Sequence, residues 1–125
     1  MRVKELGRTG VFLPEVGIGT WDYHAGPNPL RSGFQAGAAF IDTAESYGTE
    51  EVVGEALKGL RERVFVATKV SPENFRRARF QASVDASLRR LGIETIDLLQ
   101  LHQLNPAIPI QETMGHWQTS WMRGK

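Results

Sequence analysis

Four short runs rich in β-branched and aromatic residues alternate with longer segments of helical periodicity, and this alternation constrains the fold most strongly. Each run has few polar interruptions, as is typical of parallel strands that are buried on both faces. A repeated strand–helix–strand order predicts a parallel sheet with right-handed crossovers, and hence an α/β fold. The predicted strands cover residues 15–19, 39–42, 64–69 and 96–102.

The segments between these strands carry signals for helix starts and ends. Thr49 is placed to cap one helix, Glu50 and Glu51 suit its positive end, and Gly59 falls near its end. Gly92 is placed to end a later helix whose apolar stripe runs from position 80 to 91. The predicted elements are helices over 29–36, 49–60 and 80–91, and an N-terminal hairpin over 2–13.

The chain length limits how many of these units can be present. A closed barrel of eight strand–helix units takes about 250 residues, whereas this chain has 125 residues, which is room for four units and a single domain. The sequence pattern therefore predicts either a compact four-stranded α/β domain or half of a (β/α)8 barrel.

Composition excludes several classes of function. The chain has no cysteine, so we expect no disulfide, no cysteine–zinc site and no thiol nucleophile. Histidines at 24, 102 and 116 lack the spacing of metal ligands, so no metal site is predicted. A net charge of +1 gives no reason to expect nucleic acid or a membrane surface as a partner. Neither a signal-peptide pattern nor an apolar run of membrane-spanning length occurs, so we expect a cytoplasmic protein.

Reactive side chains stand at or just after the predicted strand ends. Asp42, Lys69 and His102 end three of the strands, and Tyr47 follows Asp42 in the loop. In parallel α/β folds this edge of the sheet is where ligands bind. A lysine ammonium stabilises a nearby phenolate, and a neutral imidazole can donate a hydrogen bond to a carbonyl. The four residues therefore form a candidate proton-transfer group, although Asp42 and Lys69 alone would also fit a structural ion pair.

The motifs around these residues, taken in order, resemble those of the aldo-keto reductases. The resemblance covers residues 3 to 115 and implies a (β/α)8 barrel that uses NADPH to reduce aldehydes and ketones. The motifs are Gly-Ile-Gly-Thr-Trp at 17–21, Phe-Ile-Asp-Thr-Ala-Glu-Ser-Tyr-Gly at 40–48, Ala-Thr-Lys-Val at 67–70, Leu-Gln-Leu-His at 99–102, and the segment 105–115.

The resemblance also implies roles for individual residues. Tyr47 would be the proton donor and Lys69 would tune it. Asp42 would pair with Lys69, and His102 would orient the carbonyl. Residues implied at the nicotinamide end of NADP(H) are Gly19, Thr20, Trp21 and Asp42.

Two features depart from the family pattern. The strands that bind the phosphates of the cofactor in aldo-keto reductases have no counterpart in these 125 residues. Residues 116–125 carry two of the three tryptophans and no apolar period, where the family has an amphipathic helix. A family-like coding stretch read one base later gives the tail sequence of 117–124, so we hypothesise a frameshift after Gly115.

Two other classes of function remain compatible with the sequence. One is a nicotinamide-binding module that acts through partners without turnover. The other is a truncated, inactive fragment, since an open half barrel leaves two strand edges uncovered. Such edges predict self-association of the chain.

Overall fold

A computed structural model describes residues 1–115. It contains a small antiparallel hairpin, which is followed in the chain by a four-stranded parallel sheet. The hairpin pairs Lys4 with Leu13, and the sheet has the strand order β3-β4-β5-β6, so each strand lies beside its neighbour in sequence. The predicted hairpin and parallel sheet are therefore confirmed. The atypical tail, 116–125, lies outside the described residues. The strands are β1 (Val3–Glu5), β2 (Phe12–Pro14), β3 (Ile18–Gly19), β4 (Phe40–Asp42), β5 (Phe65–Val70) and β6 (Leu98–Leu101).

A helix follows each of the first three parallel strands, as the sequence predicts. They are α1 (Pro27–Gln35), α2 (Glu50–Leu57) and α3 (Arg77–Leu91). Gly92 ends α3 with a left-handed conformation, and its N–H donates to carbonyls of the last turn. Further helical residues occupy 110–115. Within residues 1–115 no helix is long and apolar enough to cross a membrane.

The core lies between the sheet and the helices. Ile41 and Val66 at the centre of the sheet and Val53 on α2 are fully buried. All four residues of β6 are only half-buried, as is Ile18 in β3. The expectation that every strand is buried on both faces is therefore wrong for β3 and β6, because each lies at an edge of the sheet and has a neighbour on one side only.

The first parallel strand is shorter than predicted. Residues 15–17 precede β3 without strand pairing, and only Ile18 and Gly19 pair with β4. Ile18 also explains a glycine inside α1. A Cβ added at Gly33 would lie 2.6 Å from Ile18 Cδ1, so the helix packs closely over this strand at that position.

The predicted capping of α2 by the Thr49 side chain is wrong. The Thr49 hydroxyl makes no capping bond and donates instead to the Thr20 hydroxyl at 3.0 Å. Thr49 is buried, and the Thr20 hydroxyl takes the place of the helix backbone as the hydrogen-bond partner of its side chain. The helix also ends at Leu57, three residues before the predicted end at Leu60.

Glu50, which we assigned to the helix dipole, belongs to a buried ionic cluster. Its side chain is 1% exposed. Thr68 donates to Oε2 at 2.6 Å, and Ser87 donates to Oε1 at 3.1 Å. Arg90 also donates to Oε1, from Nε at 2.9 Å and Nη2 at 2.6 Å. This carboxylate joins α2 to β5 and α3, because its partners lie on both of those elements.

Candidate active site

The parallel register of β4 and β5 brings Asp42 and Lys69 onto one face of the sheet. Asp42 pairs with Ala67, and Lys69 lies two residues further along the same strand. Residues two apart on a strand point to the same face, so both side chains project together. The Lys69 ammonium reaches Asp42 Oδ2 at 2.6 Å.

The Lys69 ammonium has three oxygen partners. Besides Asp42, it donates to the Thr43 carbonyl at 3.0 Å and to the Tyr47 hydroxyl at 3.4 Å. An ammonium group has three N–H donors, so these partners can use all of them. The Lys69 side chain is only 14% exposed. The charge is therefore held in one place beside the phenol.

Tyr47 is carried by a short 3-10 turn, Glu45–Tyr47, directly beyond β4. Ala44 before the turn is fully buried, and Gly48 after it takes a left-handed conformation with φ of 70° that glycine adopts without strain. The turn therefore places the Tyr47 side chain beside the end of β5. The Tyr47 ring centroid lies 5.0 Å from Lys69 Nζ.

His102 completes the cluster from the next strand end. Its backbone N–H donates to the Val70 carbonyl at 3.0 Å, which extends the β5–β6 pairing by one residue. Its ring packs edge to face against Tyr47, with centroids 5.4 Å apart. Ser46 Oγ lies 3.4 Å from His102 Nδ1. The structure thus brings together Asp42, Tyr47, Lys69 and His102.

Gln100 is a site residue that the sequence analysis missed. It pairs with Lys69 in the register of β5 and β6, and its amide donates to Asp42 Oδ1 at 3.1 Å. The signal was a single polar residue between leucines in an otherwise apolar strand. Asp42 therefore receives one hydrogen bond on each carboxylate oxygen.

The residues implied at the nicotinamide end differ in accessibility. Trp21 is 75% exposed, and Gly19 has open space where a Cβ would be. Thr20 is fully buried, and its hydroxyl donates to the Asp42 carbonyl at 3.2 Å while it accepts from Thr49. The Thr20 side chain therefore fastens β3 to β4, whereas Gly19, Trp21 and the partly exposed Asp42 carboxylate border open space.

This arrangement can donate a proton and orient a polar substrate. A phenol beside a fixed ammonium can release its proton to a neighbouring oxygen, because the positive charge stabilises the phenolate that remains. The adjacent imidazole offers a second hydrogen-bonding group. Among residues 1–115, His, Cys, Asp and Glu form no group of three or more that could hold a metal ion.

Comparison with known proteins places the chain in a family. Residues 15–125 match the model of the aldo/keto reductase family. The chain is 40% identical to the methylglyoxal reductase YeaE of Escherichia coli, over 92% of the chain and 44% of that enzyme. It superimposes on the thermostable aldo-keto reductase Tm1743, solved with the inhibitor epalrestat, with a TM-score of 0.93 and 36% identity. That match covers 99% of the chain and 51% of Tm1743.

A second solved relative carries a cofactor. The aldo/keto reductase of Klebsiella pneumoniae, in complex with NADP and acetate, matches with a TM-score of 0.86 and 39% identity, over 91% of the chain and 44% of that enzyme. The chain thus spans about half the length of the relatives it matches. Four parallel strands in sequential order and a covering of helices correspond to half of a (β/α)8 barrel, and the predicted fold class is confirmed.

Proposed function

Because the chain belongs to the aldo/keto reductase family, we propose that its strand-end cluster serves the NADP(H)-dependent reduction of a small aldehyde or ketone to an alcohol. One observation carries the proposal. Lys69 Nζ lies 2.6 Å from Asp42 Oδ2 and 3.4 Å from the Tyr47 hydroxyl, which places a fixed positive charge beside the Tyr47 phenol.

Each of the four residues has a distinct part in this reaction. Bound NADPH would supply a hydride to the carbonyl carbon. Tyr47 donates its hydroxyl proton to the carbonyl oxygen, and Lys69 stabilises the phenolate that is left. Asp42 holds the Lys69 ammonium in place through the 2.6 Å ion pair. His102, beside the Tyr47 ring, donates a hydrogen bond that orients the carbonyl.

The chain's residues fit the nicotinamide end of the cofactor. A flat ring needs open space at the strand ends, and the backbone of Gly19 borders such space. The exposed indole of Trp21 can form one wall, and the Asp42 carboxylate, 39% exposed, can accept a hydrogen bond there. These three residues would hold that end of NADP(H) close to Tyr47.

The experiment compares the parent chain with Tyr47→Phe. NADPH oxidation is followed with methylglyoxal, the substrate named for the E. coli relative, and with a panel of simple aldehydes. Removing only the hydroxyl keeps the ring that packs on His102. We expect a loss of about 100-fold or more in kcat, the usual contribution of a positioned acid. Tyr23→Phe, which removes the other tyrosine hydroxyl of the chain, is the matched control and should retain activity.

Two outcomes would contradict this function. Equal turnover by the parent and Tyr47→Phe would exclude Tyr47 as the proton donor. NADPH binding with no turnover of any carbonyl would instead favour a nicotinamide-binding module. Binding is measured separately, from the fluorescence of the bound cofactor, so that the two outcomes are distinguished.

A further inference from the structure

The Tyr47 turn is fastened to the rest of the site through one carboxylate that the proposed reaction does not use. Glu45 begins the turn that Tyr47 ends. Its Oε1 accepts a hydrogen bond from the Ser71 backbone N–H at 3.0 Å and another from the Asn74 side-chain amide at 2.5 Å. Ser71 follows directly after β5, the strand that carries Lys69. Glu45 therefore connects the segment of Tyr47 to the segment of Lys69.

The two donors to Glu45, the Ser71 N–H and the Asn74 amide, lie in a segment that is itself held in place. Ser71 is 4% exposed, so its N–H has little access to water and would lose a hydrogen bond without Glu45. Asn74 ends the 3-10 turn Pro72–Asn74, whose Pro72 carbonyl accepts from Asn105 at 2.9 Å. Asn105 lies in the loop beyond β6. The loop that holds Glu45 is thus itself held by the next loop of the sheet.

Besides the Glu45 bonds, the Tyr47 turn is held by long or weakly directional contacts: Ser46 Oγ lies 3.4 Å from His102 Nδ1, and the Tyr47 ring packs edge to face on His102. Within the turn, the Tyr47 N–H donates to the Ala44 carbonyl at 3.1 Å, and Gly48 follows in a left-handed conformation that glycine adopts without strain. The Tyr47 hydroxyl contacts Lys69 at 3.4 Å, a long hydrogen bond that does little to fix the ring by itself. The two bonds of Glu45 are shorter and lie on the same three-residue turn.

We propose that Glu45 is a positioning residue that sets the distance between the Tyr47 hydroxyl and the Lys69 ammonium. The name "positioning residue" rests on the proposed function, in which Tyr47 is the proton donor. Both bonds are accepted by the same oxygen, so a glutamine can replace the glutamate through its amide oxygen. An alanine cannot accept either bond. The two substitutions therefore separate hydrogen bonding from negative charge.

The first test reads the position of Tyr47 by fluorine NMR of the 125-residue chain labelled with 3-fluorotyrosine. The chain has two tyrosines, so the spectrum has two resonances, which Tyr23→Phe assigns. In Glu45→Ala we expect the Tyr47 resonance to move toward that of free 3-fluorotyrosine, because the ring leaves His102, while the Tyr23 resonance stays in place. Glu45→Gln should restore the parent spectrum. Glu73→Ala is the control, because it removes an exposed carboxylate from the turn that carries Asn74. It should leave both resonances unchanged.

Asn74→Ala approaches the same contact from the other side and keeps the test decisive if Glu45→Ala does not fold. It should move the Tyr47 resonance in the same direction by a smaller amount, because the Ser71 N–H still donates to Glu45. The double variant should move the resonance no further than Glu45→Ala alone, since Asn74 acts on Tyr47 through Glu45. An unmoved Tyr47 resonance in folded Glu45→Ala or folded Asn74→Ala would overturn the proposal.

The second test measures catalysis with the unlabelled chain. Glu45→Ala should lower kcat by about 10- to 100-fold, as small misplacements of a reacting group do, with KM for NADPH within twofold. Glu45→Gln should keep at least half of the parent kcat. A fall in kcat equal in Glu45→Gln and Glu45→Ala would overturn the proposal. The fluorine shift reports the position of Tyr47 even if Tyr47→Phe proves active, so failure of the proposed function is recognised separately.

Discussion

Lys69 Nζ lies 2.6 Å from Asp42 Oδ2, although the two residues are 27 positions apart in the chain. The contact follows from the parallel pairing of β4 with β5, which puts both side chains on one face of the sheet. The Asp42 carboxylate is 39% exposed and the Lys69 side chain 14% exposed, so the ion pair is more open on the carboxylate side. That opening is where a substrate or cofactor can approach.

Replacing Lys69 with methionine should abolish most of the proposed carbonyl reduction. Methionine keeps the aliphatic part of the side chain but removes the charge that, in the proposed reaction, stabilises the Tyr47 phenolate. We expect kcat/KM to fall by about 100- to 1,000-fold, within the range of acid–base contributions. The measurement is NADPH oxidation at saturating cofactor.

Lys58→Met is the matched control for this substitution. Lys58 follows α2 and its side chain is exposed, so its loss should leave the rate within twofold. A Lys69→Met chain with parent activity would show that the ammonium does not support proton donation and that its pair with Asp42 is structural.

Replacing Glu50 with alanine should destabilise the chain strongly. Its carboxylate is the shared acceptor for Thr68, Ser87 and Arg90, and all three would lose this acceptor. Breaking a buried ion pair costs about 3–5 kcal/mol, and we expect about 3 kcal/mol because Arg90 is 34% exposed and can turn toward water. Urea unfolding followed by far-UV circular dichroism gives the free energy of unfolding.

The neighbouring carboxylate provides the comparison. Glu51 lies on the same first turn of α2 and is exposed, so Glu51→Ala should change the free energy of unfolding by less than about 0.5 kcal/mol. Equal effects of the two substitutions would mean that the buried cluster does not hold α2 against β5 and α3.

The positions of Asp42, Lys69 and His102 could be predicted from the sequence because they depend on strand ends. Short β-branched runs mark the strands, and parallel strands in sequential order bring their carboxyl ends to one edge. The structure ends β4 at Asp42, ends β5 one residue after Lys69, and ends β6 one residue before His102. An error of one residue at a strand end still leaves these side chains at the same edge.

Contacts between side chains of distant segments could not be predicted in this way. Gln100 binds Asp42 because its strand has a particular register against β5, and no local pattern encodes that register. Thr49 fits the local rule for a helix cap, but tertiary packing gives its hydroxyl to Thr20. Glu50 likewise fits a helix start, yet its partners lie 18 to 40 residues away.

Self-association is the expected behaviour of the chain in solution. β3 and β6 occupy the two outer positions of the described sheet, and their free edges offer backbone groups to another strand. We expect the weight-average mass in sedimentation equilibrium to rise with protein concentration. A mass that stays at 13.9 kDa over the full range of concentrations would contradict this expectation.

Replacing Gly54 with alanine should destabilise the chain, which is the opposite of the usual effect inside a helix. Glycine to alanine in a helix normally stabilises it by about 1 kcal/mol. In α2, however, a Cβ at Gly54 would lie 2.7 Å from the backbone carbonyl oxygens of Arg90 and Leu91 at the end of α3. Backbone atoms cannot rotate away, so the two helices must separate.

We expect Gly54→Ala to lower the free energy of unfolding by about 2–3 kcal/mol, as overpacking does. Gly33→Ala is the matched helical control, because its added Cβ meets only the mobile tip of the Ile18 side chain and should cost less. Urea unfolding of both variants decides the matter. A Gly54→Ala chain more stable than its parent would mean that α2 does not approach the end of α3 this closely. The Glu50–Arg90 ion pair, which joins the same two helices, would then also be in doubt.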